Sequence, residues 1–127
     1  MGLWNLGSCA TEILTFVEGV PSSLSGAPLE RLADRARLDM ERYTGDTIGS
    51  VDVAEKYQPA WFDLSISELL CFMQLTGADA AEIKLGDFVV KKGAGGNLNT
   101  ASKCFKDSGY KKLKNLGFSI LYGKANV

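Results

Sequence analysis

Residues 51–77 read VDVAEKYQPAWFDLSISELLCFMQLTG, and this stretch decides the fold. From Tyr57 to Thr76, apolar side chains recur at three- and four-residue steps, which is the spacing of an amphipathic helix. Proline fits a helix interior poorly, so Pro59 either kinks one long helix or begins a second helix after a short turn over 52–57. We favour the second interpretation, with a main helix from Pro59 to Thr76. Because this stretch has the strongest apolar pattern in the chain, we expect the helix to form the centre of the core.

Two further helices are predicted on the N-terminal side of this stretch. Residues 9–18, CATEILTFVE, indicate a short helix with Ile13 on its apolar face. The segment PLERLADRARLDMERYTG indicates a longer helix that starts at Pro28 and stops at Gly45, with its charged residues on a solvated face.

The pattern changes after the central helix. Ile83, Leu85 and residues 88–90 favour a short hairpin that turns at Gly86-Asp87. A last helix is predicted in NLNTASKCFKDSGYKKLKNLG, although Gly109 weakens it by about 1 kcal/mol relative to alanine. We expect its inner face to consist of Ala101, Cys104, Phe105, Leu113 and Leu116.

These elements predict a mainly α fold in a single domain, residues 1–127. It would be a small helical bundle with a short β-hairpin or extended loop at 83–97 and a strand-like C-terminal tail at 118–127. That tail, FSILYGKANV, has alternating character that suits a strand. It would pair either with a partner's sheet edge or with residues 83–92 of its own chain.

The composition favours a folded protein without the usual catalytic groups. The chain has 127 residues, of which 46% are hydrophobic and 23% charged. It has no histidine, which removes the commonest general base and zinc ligand. Its three cysteines, Cys9, Cys71 and Cys104, are odd in number and far apart, which favours a reducing compartment. Cys71 falls in an apolar helical run, where a thiol packs as a small hydrophobe.

No segment has the roughly 18 uncharged apolar residues of a membrane helix. We therefore expect a soluble protein that is made inside a cell and has no membrane partner.

The glycine loop in FVVKKGAGGN, residues 88–97, resembles a phosphate-binding loop only in part. A Walker loop needs a lysine after its last glycine, whereas here the lysines come first. A dinucleotide fingerprint needs a third glycine where this chain has Leu98. A strand, a glycine loop and a helix in that order do give weak anion-site geometry. We interpret the loop as a hinge and predict no catalytic residue, no cofactor, no metal and no enzyme activity.

Charge is divided between the two ends of the chain. Residues 1–90 carry six basic and 14 acidic side chains, whereas residues 91–127 carry eight lysines and one acid, Asp107. A molecule with an acidic part and a basic part can stack on copies of itself, or bind a partner whose charges are complementary. Alternatively, the lysine-rich helix is an ordinary solvated surface. Its candidate contacts to a DNA backbone are Lys103, Lys106, Lys111 and Lys112. All four arginines lie in 31–42, which argues against base reading by this helix.

Several segments in this order resemble the small head–tail adaptor (connector) proteins of tailed bacteriophages. They are the LERLADRARLDMERYTG helix, AEKYQPAWFDLSISELLCFM, GADAAEIKLGDFVVKKG, and a last helix leading into LKNLGFSILYGKANV. The resemblance covers residues 25–127 and rests on the order of these segments and on the residue pattern within each of them. It implies a compact helical bundle, with a core over 25–117 and a long loop.

The resemblance also implies an assembly and a location. The chain would form a homo-oligomeric ring, a dodecamer, that docks on the portal protein, contacts a tail or head-completion protein and surrounds the DNA. It would lie at the neck of the virion after synthesis in the host cytoplasm. The portal would be bound by Phe118, Ile120, Leu121, Tyr122, Lys124 and Val127. The loop at 83–97 would reach towards a neighbouring subunit or the tail-side partner, and its contacts to a neighbour would be Phe88, Lys91 and Lys92.

Two other functions remain open at the level of sequence. One is a small accessory protein that binds DNA non-specifically through the lysine-rich helix. The other is an enzyme that uses the glycine loop at 93–96.

Overall fold

A computed structural model describes residues 4–20, 22–49, 53–76, 82–85, 88–91 and 97–116. Four helices account for most of this part of the chain: α1 is Leu6–Phe16, α2 is Ala27–Thr44, α3 is Gln58–Thr76 and α4 is Asn97–Asn115. Two 3₁₀ turns, Ser22–Leu24 and Glu55–Tyr57, precede α2 and α3. The mainly helical fold predicted from the sequence is confirmed.

The central helix is α3, as the apolar pattern predicted. It contacts α1, α2 and α4, and its buried residues are distributed around most of its circumference. Pro59 lies in the first turn, where the lost N–H has no helical partner in any case. A helix that is apolar on most sides is stable only when other elements surround it, which explains its place in the core.

The boundaries of α2 follow local chemistry. Pro28 is in the first turn, and Gly45 ends the helix with a left-handed φ of 78° while its N–H donates to the Glu41 carbonyl at 2.8 Å. Arg37 then ties the following loop to the helix, because its guanidinium donates to both Glu41 and the Ile48 carbonyl.

Helix α1 starts earlier than the sequence predicted. Asn5 caps it, since the Asn5 side chain accepts a hydrogen bond from the Ser8 N–H at 2.8 Å. Cys9 and Ile13 are fully buried in the same apolar cluster as the residues of α2 and α3. The core therefore includes residues on the N-terminal side of residue 25.

Three short strands form a small antiparallel sheet in the order β1-β2-β3, where β1 is Val17–Glu18, β2 is Glu82–Leu85 and β3 is Phe88–Lys91. The predicted hairpin is confirmed by the pairing of β2 with β3, in which Leu85 faces Phe88. Its expected turn at Gly86-Asp87 lies outside the described residues. Strand β1 pairs with the other edge of β2, and Val17, Ile83 and Leu85 bury their side chains in the core.

The inner face of α4 differs from the prediction. Ala101 and Leu113 are buried and Phe105 is half-buried, whereas Cys104 and Leu116 are exposed. Ser102 and Gly109 occupy buried positions instead. Cys71, expected to pack as a small hydrophobe, is also exposed.

Candidate interaction surfaces

The close approach of α4 to α3 positions the lysine-rich surface. A Cβ placed on Gly109 would lie 2.7 Å from the Leu64 Cγ and 3.2 Å from the Ala60 carbonyl oxygen. We call this contact between the two helices the α3–α4 seam. It also contains a buried pair of hydroxyls, Ser67 and Ser102, whose oxygens are 3.0 Å apart. Only glycine and small side chains let the two helices come this near, so α4 is held in one register.

Lys112, one of the predicted DNA contacts, pairs with a buried carboxylate. Its ammonium lies 2.7 Å from the Asp63 carboxylate, whose side chain is only 7% exposed. The Ser108 hydroxyl donates to the same carboxylate oxygen at 2.7 Å. A buried carboxylate needs such partners, and Lys112 therefore contributes to the packing of α4 on α3.

A second carboxyl group of α3 faces α4 and α2. Glu68 lies between Asp39 and Arg35 of α2 and Lys106 of α4. Burial raises the pKa of the Glu68 carboxyl, and the Asp39 carboxylate raises it further, whereas Arg35 and Lys106 act in the opposite direction. Lys106, another predicted DNA contact, thus places its charge beside this acidic pair.

The remaining predicted DNA contacts, Lys103 and Lys111, are exposed on α4, as is Lys114. The arginines of α2 are largely engaged within the molecule: Arg37 pairs with Asp34 and Glu41, Arg42 with Asp39, and Arg35 with Glu68. Some of the charges that separate the two ends of the sequence therefore face each other inside the fold: Lys112 and Lys106 of α4 lie near the acids of α3.

The predicted neighbour contacts belong to the hairpin. Phe88 and Lys91 are the first and last residues of β3, an outer strand of the described sheet. Their side chains, as well as Lys92 and the glycine loop at 93–96, lie outside the part that the structure describes. The predicted portal contacts do so too; they are Phe118, Ile120, Leu121, Tyr122, Lys124 and Val127.

A cleft of about 450 Å³, which we call the α3-entry groove, opens at the end of the bundle where α3 begins. Its lining combines aromatic, proline and charged side chains and consists of Trp4, Glu12, Glu55, Gln58, Pro59, Phe62 and Lys112. The Trp4 ring packs near that of Trp61, with centroids 6.2 Å apart. Sequence reasoning missed this groove because its residues come from four separate segments without a shared local pattern.

The described cysteines differ in burial, since Cys71 and Cys104 are exposed. Cys9 is buried, with its sulfur 3.6 Å from the Ser65 hydroxyl, and burial raises the pKa of its thiol to about 12.

In the described ranges, no group of three or more His, Cys, Asp or Glu side chains is arranged to hold a metal ion. None of the described helices is long and apolar enough to cross a membrane.

Comparisons with protein-family models, with curated proteins and with solved structures found no match to this chain.

Proposed function

We propose that this chain is a structural virion protein, a head-to-tail adaptor that forms a ring on the portal and joins capsid to tail around the DNA channel. The observation that carries the proposal is the position of the hairpin. It lies between α3 and α4 of a helical bundle, and its strands, Glu82–Leu85 and Phe88–Lys91, fall within GADAAEIKLGDFVVKKG, one of the segments on which the resemblance to phage adaptors rests.

The surfaces of the bundle are compatible with this role. An outer strand and an open groove offer places where another protein can pack. The lysines of α4 carry an excess of positive charge on one helix, which suits contact with an acidic neighbour or with DNA passing through a ring.

Size-exclusion chromatography with light scattering tests the assembly. With purified portal rings, we expect the chain to co-elute as a complex that holds twelve copies of the 13.7 kDa subunit. A chain that stays monomeric, both alone and with portal rings, would contradict the proposal. A gene position between portal or capsid genes and tail genes is an independent check.

A pair of matched substitutions tests the predicted portal contacts. Leu121→Ala in the tail should weaken portal binding by about tenfold or more, because truncating an apolar anchor removes its buried contacts. Leu75→Ala is the control: Leu75 is 80% exposed on α3 and is not a predicted contact. Equal affinities of the two variants would argue against portal docking through the tail.

The second candidate, non-specific DNA binding, is favoured by the exposure of Lys103 and Lys111 on α4. If it holds, DNA affinity should fall steeply with salt, and Lys103→Gln should lower the salt dependence by about one counterion. Lys84→Gln, at an exposed lysine of β2, is the matched control. Absent or salt-independent binding would eliminate this function.

A further inference from the structure

The α3-entry groove lies beside the point where the chain leaves α4. Lys112 lines the groove, and Leu116, the last described residue, follows one turn later. One turn of helix is about 5.4 Å long. Leu116 therefore lies close to the groove, at the same end of the bundle as Pro59.

The lining of the groove is complementary to an apolar segment that carries a positive charge. Trp4, Pro59 and Phe62 supply aromatic and apolar surface, and Glu12 is an exposed carboxylate at the edge. The charge of Lys112 is offset by Asp63, which is not among the lining residues. A ligand with aromatic side chains and one cation would meet complementary groups here.

Residues 118–127 of the same chain have this composition. The segment FSILYGKANV contains Phe118 and Tyr122, two aliphatic side chains between them, and Lys124 as its one charged side chain. Eight residues separate Leu116 from Lys124, and an extended chain of that length spans roughly 26–29 Å. We propose that the α3-entry groove binds residues 118–127 of its own chain in the isolated subunit.

This proposal goes beyond the adaptor role and does not depend on it. If the chain also docks on a portal, the same residues cannot occupy both sites at once. Binding to the groove would then compete with portal docking, and release of the segment would precede assembly.

Disulfide trapping in the full chain tests the proposal. Cys71→Ser and Cys104→Ser remove the exposed thiols, and Cys9 stays unreactive because it is buried with a pKa of about 12. Into this background, Glu55→Cys and Ala125→Cys place one thiol in the groove and one in the segment, and both Glu12 and Lys124 are retained. Mild oxidation should give an internal disulfide, measured by mass and by mobility without reductant.

The matched control pairs Ala125→Cys with Asp107→Cys. Asp107 is exposed and lies about 140° around α4 from Lys112. It is much nearer to residue 125 in sequence than Glu55 is, so an unbound segment would react faster with position 107. We expect the opposite: trapping at position 55 should be at least about tenfold faster, because binding raises the local concentration of the thiol.

The remaining outcomes contradict the proposal. Trapping at position 107 that is as fast as at position 55 would show that the segment does not reside in the groove. A disulfide between two chains would show that the groove accepts a segment of a second copy. Because no portal is present in this experiment, its failure leaves the adaptor role to be judged by the co-elution measurement.

Discussion

Helix α3 is packed differently against its two long neighbours. Towards α2, the fully buried Trp61 side chain fills a large volume, and its Nε1–H donates to the Ala33 carbonyl at 2.8 Å. Towards α4, Gly109 permits a close approach, and Asp63 and Ser67 form polar contacts. The contact with α2 is therefore stabilised mainly by the volume of a large buried side chain. The contact with α4 is stabilised by the short distance between the two helices and by paired polar groups. The lysine-rich helix is thus attached by the more register-specific of the two contacts.

The largest effect is expected from removing volume on the α2 side. Trp61→Ala should lower the free energy of unfolding by about 3–5 kcal/mol, because it leaves a cavity and removes the hydrogen bond from the indole N–H to the Ala33 carbonyl. Urea denaturation measures this loss, and Trp61→Phe, which keeps most of the volume, should cost distinctly less. A loss below about 1 kcal/mol for the alanine variant would mean that Trp61 does not hold α2 in place.

Adding volume on the α4 side should come next. Gly109→Ala should destabilise the protein by about 1–3 kcal/mol, because its Cβ would overlap Leu64. Helix propensity alone predicts the opposite sign, a gain of about 1 kcal/mol. Gly7→Ala in α1 is the matched control, since a Cβ there meets nothing closer than 3.4 Å. A stabilising Gly109→Ala would show that the close approach is not required.

Removing one charge from the α4 contact should have a smaller effect. Lys112→Met keeps the apolar stem but removes the ammonium from the buried Asp63 carboxylate, which keeps its hydrogen bond from the Ser108 hydroxyl. We expect a loss of about 1–2 kcal/mol near pH 7, because Lys112 is 44% exposed and its pairing is screened by solvent. Lys111→Met, at the neighbouring exposed lysine, should change stability by less than about 0.5 kcal/mol. Equal effects of the two variants would show that Lys112 does not stabilise the contact between α3 and α4.

The smallest effect concerns pH at the junction of α2, α3 and α4. Because the pKa of Glu68 is raised in the folded state, the folded protein holds this proton to a higher pH than the unfolded chain does. The contribution of Glu68 to stability therefore falls as pH rises above its ordinary pKa of 4.5. Glu68→Gln should remove this decline, so its stability relative to the parent should increase from pH 4 to pH 7.

Urea midpoints measured at several pH values check this expectation. Asp39→Asn is the companion variant, since it removes the neighbouring carboxylate and should make the same decline smaller. A difference between Glu68→Gln and the parent that is constant with pH would contradict the assigned environment of Glu68.

Local chemistry made much of the fold predictable. The bounds of α2 and α3 could be read from Pro28, Gly45 and Pro59, and the hairpin from its strand-forming residues. Strand β1 could not be foreseen, because two residues have no periodicity and pair with β2 far along the chain. The α3-entry groove was equally hidden, since four segments supply its lining.

By itself, the sequence determined which segments are helices and which helix lies at the centre, because apolar spacing and terminal proline and glycine act within a few residues. Only the tertiary structure decided what α4 buries. It buries Ser102 and Gly109 and leaves Cys104 exposed, since α3 offers small and polar partners along that seam. Likewise, only the fold placed Lys112 against Asp63, because the attraction between two charges depends on their distance in space and not along the chain.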